Sequence, residues 1–430
     1  MTPRSTPAST LALFRILFGL LMVAESWGAI ATGWVAETFV LPRHTFPLAG
    51  LEGLRVLSGP LMYGYFGAMG VAALGVALGL RYRVSGVALA TLWSGAYLAQ
   101  KSHYNNHYYL AVLVAWWMAA LPAHRARSLD VRAGRVERAT HLSPWVGRLF
   151  RLQLLVVFSY AAVNKLYPGW LSGDYLRTNL GAKGDTWLVG PLLVEPWFQS
   201  FIGVSGIAFD ALVVPALLVR RTRWIGVLGL LLFNLFNSLV FRIGIFPYMV
   251  LAWLVFFFED RFRSAEDDPS SPAQRVATPW LRPAVLAFVA VQIALPLRHH
   301  LIPGDVNWTE GGHRMSWRMM LRTKSGALKL LARSPAVGRV WTVPQHEFLN
   351  VRQQVRVASN PEFLMQFVRI LERHYAEEEG IDDLELRAVH SAVSLNGAPA
   401  QPLYDPDVDL CEERWHHGLE REPWVLDPAR

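Results

Sequence analysis

The chain carries its apolar residues in long blocks, and the lengths of these blocks are what most constrains its fold. A helix that crosses a bilayer needs about 20 mainly apolar residues. Nine blocks come near that length, and the three at 84–100, 107–122 and 243–258 are short enough to be tilted, broken or partly buried. The other six are 10–33, 60–80, 145–166, 201–219, 224–241 and 280–298. The sequence therefore predicts a mainly α, polytopic membrane helix bundle of about nine spans.

The composition agrees with a membrane protein. Of the 430 residues 53% are hydrophobic and 17% are charged, whereas about a quarter are charged in a typical soluble domain. These values exclude a disordered chain, a coiled coil, a collagen-like fibre and an ordinary cytosolic enzyme. The net charge of +8 would suggest nucleic acid in a soluble protein, but in a membrane protein basic residues report orientation. We therefore predict no nucleic-acid partner.

The positions of the basic residues predict the orientation in the bilayer. Fourteen arginines follow the even-numbered spans, whereas six basic residues follow the odd-numbered spans. Because Lys and Arg concentrate in cytoplasmic loops, the N-terminus is predicted to be cytoplasmic and the C-terminus extracytoplasmic. One cysteine, Cys411, permits no internal disulfide. We expect a multi-pass protein of a bacterial cytoplasmic membrane.

The sequence changes character after residue 298. Residues 299–430 contain no spanning run and many charges. Segments 327–332 and 384–395 alternate like strands, and 361–378 has helical spacing. The predicted division is therefore a transmembrane domain over 1–298 and a small extracytoplasmic α/β domain over 299–430.

Four ionisable residues fall inside the predicted spans, and such residues are functional candidates because their burial in lipid is costly. They are Arg15, Glu25, Lys165 and Asp210. Arg15 and Glu25 could pair with each other or reach the interface. Asp210 is interpreted as a buried hydrogen-bond acceptor rather than a catalyst.

Lys165 is the strongest candidate for chemistry. It ends the fifth span, in VVFSYAAVNKLYPGW (156–170), and the fourth span begins with QKSHYNNHYYL (100–110). Because these two spans run in opposite directions, His107, Asn106 and Asn105 should lie in the same layer as Lys165. Desolvation favours a neutral lysine amine, which could act as a base, with Asn and His holding it or a ligand. The alternative is a lysine that merely anchors the helix at the interface.

No metal site is predicted. His103 and His107 have the HxxxH spacing that places two imidazoles on one helix face, but the sequence lacks the companion histidines of di-iron enzymes. No phosphate-binding loop or dinucleotide fingerprint occurs, so any cofactor is expected to be lipid-soluble and to come from the bilayer. The run RMSWRMMLRTKSG (314–326), which contains Trp317 and Met319, is predicted to form a collar or lid over the site.

Seven motifs in order along the chain carry a family resemblance. They are FPL (46–48), LGLRYRVSGV (78–87), KSHYNNHYYL (101–110), FSYAAVNKLYPGWLSGDYL (158–176), FNSLVFRIGIFPYMVLA (236–252), NWTEGGHRMSWRMM (307–320) and YDPDVDL (404–410). With these motifs the chain resembles the vitamin K-dependent gamma-glutamyl carboxylases, in the short bacterial form that carries an HTTM domain.

The resemblance implies an activity and roles for individual residues. Lys165 matches the base that deprotonates vitamin K hydroquinone, or here menaquinol, and His107 with Asn106 matches the quinol-side motif. In the family the hydroquinone anion reacts with O2 to give an alkoxide base, which removes a γ-proton from a peptidyl glutamate. CO2 then adds to the carbanion, and the quinone epoxide is left. Asn105, Asn234, Trp317 and Met319 complete the predicted cofactor-binding set, although the family often has a histidine where this chain has Asn234.

Two other functions remain open on the sequence. The animal enzymes continue with a long extracytoplasmic region that helps to capture the substrate, so a quinol epoxidase without carboxylation is one alternative. A non-enzymatic membrane binding or transport protein is the other. Transport predicts polar residues along a path or paired repeats, whereas the polar cluster here lies at one face of the bundle. Besides lipid and quinone, the expected partner is a glutamate-containing peptide or protein.

Overall fold

Each of the nine apolar blocks forms a helix in the computed structural model, which describes residues 5–241, 243–261, 278–416, 420 and 422–428. Hydrophobic run length fixes these helices because a long apolar segment can satisfy its backbone within lipid only as a helix. They are α1 (Ala8–Ala31), α2 (Leu61–Leu78), α3 (Tyr82–Ala99), α4 (Asn106–Ala120), α6 (Pro144–Asn164), α10 (Pro196–Leu218), α11 (Arg223–Val240), α12 (Phe246–Trp253) and α13 (Leu281–Leu297).

Within the described residues, six helices are long and apolar enough to cross a membrane: α1, α2, α6, α10, α11 and the segment Leu281–Leu301 that begins with α13. The protein is therefore a multi-pass membrane protein. The remaining three blocks, which form α3, α4 and α12, are those predicted to be short. The orientation stays a prediction. Outside the described residues lie most of the predicted loop 261–279 and three arginines that contributed to the orientation, Arg242, Arg263 and Arg275.

Short elements join these helices. Strand β1 (Thr6–Pro7) pairs with β2 (His141–Leu142) and so brings the starts of α1 and α6 together. The short helices are α5 (Leu129–Arg132), α7 (Pro168–Leu171), α8 (Asp174–Gly181) and α9 (Gly190–Leu193). Single turns of 3-10 or π helix occur at Ala36–Val40, Glu52–Val56, Lys101–His103, Ala123–Arg125, Leu254–Phe256, Glu259–Arg261 and Arg298–Leu301.

Arg15 has a structural role in the membrane domain. Its buried guanidinium donates hydrogen bonds to the backbone carbonyls of Ala123, Ala126 and Arg127. These bonds satisfy a turn that would otherwise bury unpaired carbonyl groups. Of the two alternatives that the sequence left open for Arg15, neither pairing with Glu25 nor reaching the interface describes these contacts, because Arg15 holds the connection after α4.

Helix α12 is anchored in the bundle by its C-terminal end. Its end packs through aromatic edges, with Trp253 against Phe14 of α1 at 5.6 Å and against Phe150 of α6 at 5.7 Å. The Trp253 indole also donates to the Phe150 carbonyl at 2.8 Å. These contacts fix the end of α12 against α1 and α6.

The C-terminal residues form a small α/β unit. A three-stranded antiparallel sheet has the order β4 (Arg339–Thr342), β3 (Lys324–Ser334), β5 (Glu385–Leu395). The helices of this unit are α14 (Gln345–Phe348), α15 (Val351–Ser359) and α16 (Pro361–Glu379). Asn360 caps α16 by accepting the Phe363 amide at 3.3 Å, and the left-handed Gly380 ends it. The predicted strands and the predicted helix are confirmed.

The loop between α1 and α2 is built into this second unit. Phe46 is fully buried in its hydrophobic core and packs on Phe363 at 5.2 Å between ring centroids. Gln366 donates to the Pro47 carbonyl at 3.0 Å, and Gln353 donates to that of His44 at 2.7 Å. The predicted fold class, a helical membrane bundle followed by a small α/β domain, is confirmed. The boundary at 298 remains a prediction.

Candidate active site

A cavity of about 760 Å³ lies where the membrane helices meet the C-terminal domain. Helices α4, α6, α10 and α11 form one side of it. Residues 310–324, which we call the crossing segment, form much of the other side. A volume of this size is typical of a small-molecule site.

The membrane side of the cavity, here the apolar half, is lined mainly by aromatic rings. Eight phenylalanines contribute: Phe158, Phe198, Phe201, Phe209, Phe233, Phe236, Phe241 and Phe246. Two lining residues, Phe201 and Leu232, are 57% and 59% exposed on the outside of α10 and α11. The apolar half therefore opens sideways, toward the region that lipid would occupy.

Lys165 lies at the edge of the apolar half, directly after the last residue of α6. Its ammonium group forms an ion pair with Asp210 of α10, and it lies 3.4 Å from the Ala161 carbonyl. The Trp170 ring lies 5.2 Å from Nζ and is itself held by a hydrogen bond from its indole to the Gly203 carbonyl. Lys165 thus lines the cavity beside a carboxylate and an aromatic ring.

The start of α4 brings three predicted residues to the cavity, Asn105, Asn106 and His107. Asn105 caps the helix by accepting the Tyr108 amide at 2.7 Å, and its side chain lines the cavity. His107 also lines the cavity and packs against Phe246 at 6.1 Å between ring centroids. Within the described part of the chain, the His107 imidazole makes no hydrogen bond, so its nitrogen atoms are available to a ligand. His103 lies outside α4, near Thr38 and Trp34, so the two histidines do not share a helix face.

Two asparagines hold the crossing segment over the cavity. Asn106 donates to the Arg318 carbonyl at 2.9 Å, and Asn164 donates to the Ser316 carbonyl at 3.1 Å. Met315, Trp317 and Met320 in this segment have positive φ angles, of 57°, 52° and 51°. Such left-handed residues are costly and persist where the surroundings fix them.

The remaining predicted cofactor-binding residues divide into two groups. Met319 lines the cavity, as do Asn105, Asn106, His107 and Lys165. Trp317 does not; it is fully buried against Tyr109, at 5.0 Å between ring centroids. Asn234 is buried on α11 and is also absent from the cavity lining. The roles of all seven residues in catalysis or binding remain predictions.

The side of the cavity opposite the apolar half is strongly basic. We call its six cations the cationic roof: Lys101, Arg314, Arg318, Arg322, Lys324 and Arg356. Glu362 pairs with both Lys101 and Arg314, and Glu310 pairs with Arg322. Among the described residues, Arg318 and Lys324 contact carbonyl or amide groups but pair with no carboxylate, and Arg356 makes no hydrogen bond. Four positive charges are therefore in excess.

Burial makes this excess energetically significant. Although burial alone would raise it, the pKa of Glu362 is held at about 2, because Arg314 and Lys101 both stabilise its carboxylate. Burial lowers the pKa of Lys324 to about 8 despite the nearby Glu310. It also lowers the pKa of Arg318 to about 10, and Arg322 repels that charge further. A ligand with one or more carboxylates would relieve this strain.

The geometry defines a membrane protein whose cavity joins an aromatic half to a half with an excess of positive charge. The HTTM domain family matches residues 3–262, and the vitamin K-dependent gamma-carboxylase lumenal domain family matches residues 277–430. The chain therefore belongs to the HTTM-domain proteins and to the vitamin K-dependent gamma-carboxylase family, and is a carboxylase-like membrane protein. No solved structure matches the chain.

The sequence left two parts of this site unidentified. Asp210 was expected to be a hydrogen-bond acceptor, but the residue that it contacts, Lys165, lies 45 positions away on another helix. The cations of segment 314–326 were noted, yet their convergence with Lys101 and Arg356 depends on the path of the crossing segment. The excess of basic residues in that segment was the available signal.

Proposed function

We propose that this protein is a vitamin K-dependent gamma-glutamyl carboxylase that uses a vitamin K hydroquinone or menaquinol, O2 and CO2. One observation carries the proposal. A single cavity places Lys165 between an aromatic half that opens sideways and a roof with uncompensated positive charge. These are the surfaces that a lipid-soluble quinol and an acidic peptide would each require.

Two features of the apolar half, its aromatic rings and its lateral opening, support a quinol as the ligand. Flat aromatic groups pack favourably on phenylalanine rings, and a lateral opening admits a ligand dissolved in lipid. When bound, the hydroquinone would supply the strong base as O2 oxidises it to the epoxide and water. In the same reaction CO2 would replace a γ-proton of the glutamate, and that proton would be released. Lys165 would take the first proton, and the surrounding phenylalanines would exclude water that could quench the reaction.

The cationic roof supports a peptidyl glutamate as the second substrate. Arg318 and Arg356 have no carboxylate partner among the described residues, and both line the cavity. Arginine binds carboxylates through two parallel hydrogen bonds. The roof would hold the glutamate side chain and would also favour the second carboxylate that the reaction adds. The basic-residue distribution supports a cytoplasmic N-terminus and an extracytoplasmic position for this roof.

The proposal is tested with purified protein in detergent, reduced vitamin K, O2, labelled bicarbonate and a short glutamate-rich peptide. We expect epoxide and labelled peptide to form together, and Lys165→Met to lose both products while it still binds quinone. Arg318→Gln should weaken peptide binding, whereas Arg333→Gln, at an exposed pair with Glu385, should not. Epoxide without label would favour the uncoupled epoxidase. Neither product from folded protein would reject an enzyme of this type.

A further inference from the structure

The ion pair between Lys165 and Asp210 belongs to the apolar half. Of the described residues that line the cavity two are acidic, Asp210 and Glu310, and Glu310 belongs to the opposite side. The Asp210 side chain is 2% exposed and that of Lys165 is 11% exposed. Lys165 is therefore the more accessible member of the pair, and Asp210 is the more deeply buried one.

Helix packing alone does not explain this pair. Replacing a buried ion pair by apolar side chains is often neutral or stabilising, and α6 already packs on α10 through Phe158 and Phe209, at 5.8 Å between ring centroids. The other buried lysine pair at the cavity, Lys101 with Glu362, is reinforced by Arg314 at the domain junction. Among the described residues Asp210 pairs with no second cation, so Lys165 alone compensates its charge.

Charge neutrality limits how many protons the pair can hold. A neutral amine beside a carboxylate would leave a lone buried anion, and an ammonium beside a carboxylic acid would leave a lone buried cation. Both states are costly in apolar surroundings. Before a substrate binds, the pair therefore stays neutral overall, as an ammonium beside a carboxylate or as an amine beside a carboxylic acid, and only the second arrangement gives the Lys165 nitrogen a free electron pair.

We propose that Asp210 makes Lys165 competent as a base by accepting a proton from it when a quinol is bound. This inference rests on the proposed function, since it assigns a further residue to the same proton transfer. Asp210 acts on the quinol only through Lys165, so it is a positioning residue. Asp210 keeps the proton that Lys165 gives up, and Lys165 takes a proton from the quinol in its place.

The transfer balances in atoms and in charge. An N–H bond of Lys165 breaks and an O–H bond forms on Asp210, which leaves a neutral amine beside a carboxylic acid. The quinol O–H bond then breaks, its electron pair stays on the quinol oxygen, and a new N–H bond forms on Lys165. The product is a cationic Lys165 beside an anionic quinol, with a neutral Asp210. The net charge of the apolar half stays zero throughout.

The test compares epoxide formation by the wild type, Asp210→Asn, Asp210→Glu, Lys165→Met and the double variant Asp210→Asn/Lys165→Met. We expect Asp210→Asn to lower kcat by roughly 10²–10⁴-fold with little change in the KM for quinol, and Asp210→Glu to retain part of the activity. The double variant should be no slower than Lys165→Met, because residues that act as a unit are not additive.

A buried carboxylate elsewhere provides the matched control. Asp130 accepts the amides of Arg81 and Tyr82, both at 2.9 Å, at the opposite end of α3 from the cavity. Asp130→Asn should lower thermal stability but leave the kcat of the folded protein unchanged. Quinone binding, followed by quenching of tryptophan fluorescence, identifies which variants retain a folded site.

A measurement that does not depend on turnover follows the proton on Asp210 itself. Without O2, adding quinol to the wild type should produce the infrared C=O band of a protonated carboxylic acid, and adding oxidised quinone should not. The band should be absent from Asp210→Asn, and in Lys165→Met it should not depend on quinol, because Asp210 without its cation is already protonated. A merely structural role for Asp210 would give no such band in the wild type.

The outcomes separate the two claims. If the wild type neither binds quinone nor forms epoxide, the proposed function fails and this inference fails with it. If the wild type forms epoxide and folded Asp210→Asn keeps its kcat, or if quinol produces no carboxylic acid band, the proposed function stands and the role of Asp210 is rejected.

Discussion

The ion-pair network around Glu362 should hold the two domains together, and replacing Glu362 by Gln tests this directly. Its carboxylate accepts a hydrogen bond at 2.7 Å from Lys101, which lies in the connection between α3 and α4. It also pairs with Arg314 of the crossing segment. The variant keeps the size of the side chain and removes its charge. Lys101 and Arg314 would then remain buried without a carboxylate.

The expected loss can be worked from the pKa of Glu362. The fold lowers that pKa from 4.5 to about 2, and because each pKa unit corresponds to about 1.4 kcal/mol, the carboxylate contributes about 3 kcal/mol at neutral pH. Removing one partner of a buried pair costs about 3–5 kcal/mol in general. Since the pKa is lower in the folded state, this contribution is complete above pH 4.5 and is lost as the pH falls toward 2.

Urea unfolding in detergent at pH 7 measures the effect, with the fluorescence of the buried Trp308 and Trp424 reporting on the C-terminal domain. Glu378→Gln is the matched control, because Glu378 lies on the same helix, α16, and pairs with Arg43, but 58% of its side chain is exposed. That variant should lose little stability. Equal stability of Glu362→Gln and Glu378→Gln would refute the reasoning, as would an unchanged dependence of stability on pH below 4.5.

Three further predictions follow from single side chains. Asn164→Ala should free a carbonyl of the crossing segment at a cost of about 1–3 kcal/mol and speed its proteolysis; proteolysis at the wild-type rate would contradict the tether. Asn234→Leu should raise the melting temperature without changing the Kd for quinone, because the buried Asn234 amide has no partner among the described residues. Weaker quinone binding by this variant would show that Asn234 does contribute to the cofactor site. Burial raises the pKa of the Cys411 thiol above its ordinary range, so thiol reagents at pH 7 should label it only after urea unfolding, and labelling without urea would contradict this.

The sequence was sufficient where a property is local to one segment. Block length predicted the nine helices, and alternation predicted strands β3 and β5, because both properties depend on residues close together along the chain. The opposed directions of α4 and α6 were enough to bring His107 and Lys165 to one cavity.

The sequence was insufficient where a side chain could point in several directions. Trp317 was expected to bind the cofactor, but an aromatic residue can equally fill a core, and here it packs on Tyr109. Asp210 could have faced any neighbour of α10, and its contact with Lys165 depends on how two helices are rotated. The positive φ angles at Met315, Trp317 and Met320 re-aim the crossing segment in a way that no local propensity for these residues indicates.

The two matched regions of the chain together make one site, and neither could perform the proposed reaction alone. Residues 3–262 supply the phenylalanines, Lys165 and Asp210, whereas residues 277–430 supply five of the six roof cations. Asn106 and Asn164 come from the first region and bond to the backbone of the second. A base generated in the apolar half can reach a glutamate on the roof only if the roof is held at a fixed distance from it. In the proposed reaction the asparagines would therefore matter for coupling, because their hydrogen bonds join the roof to the apolar half.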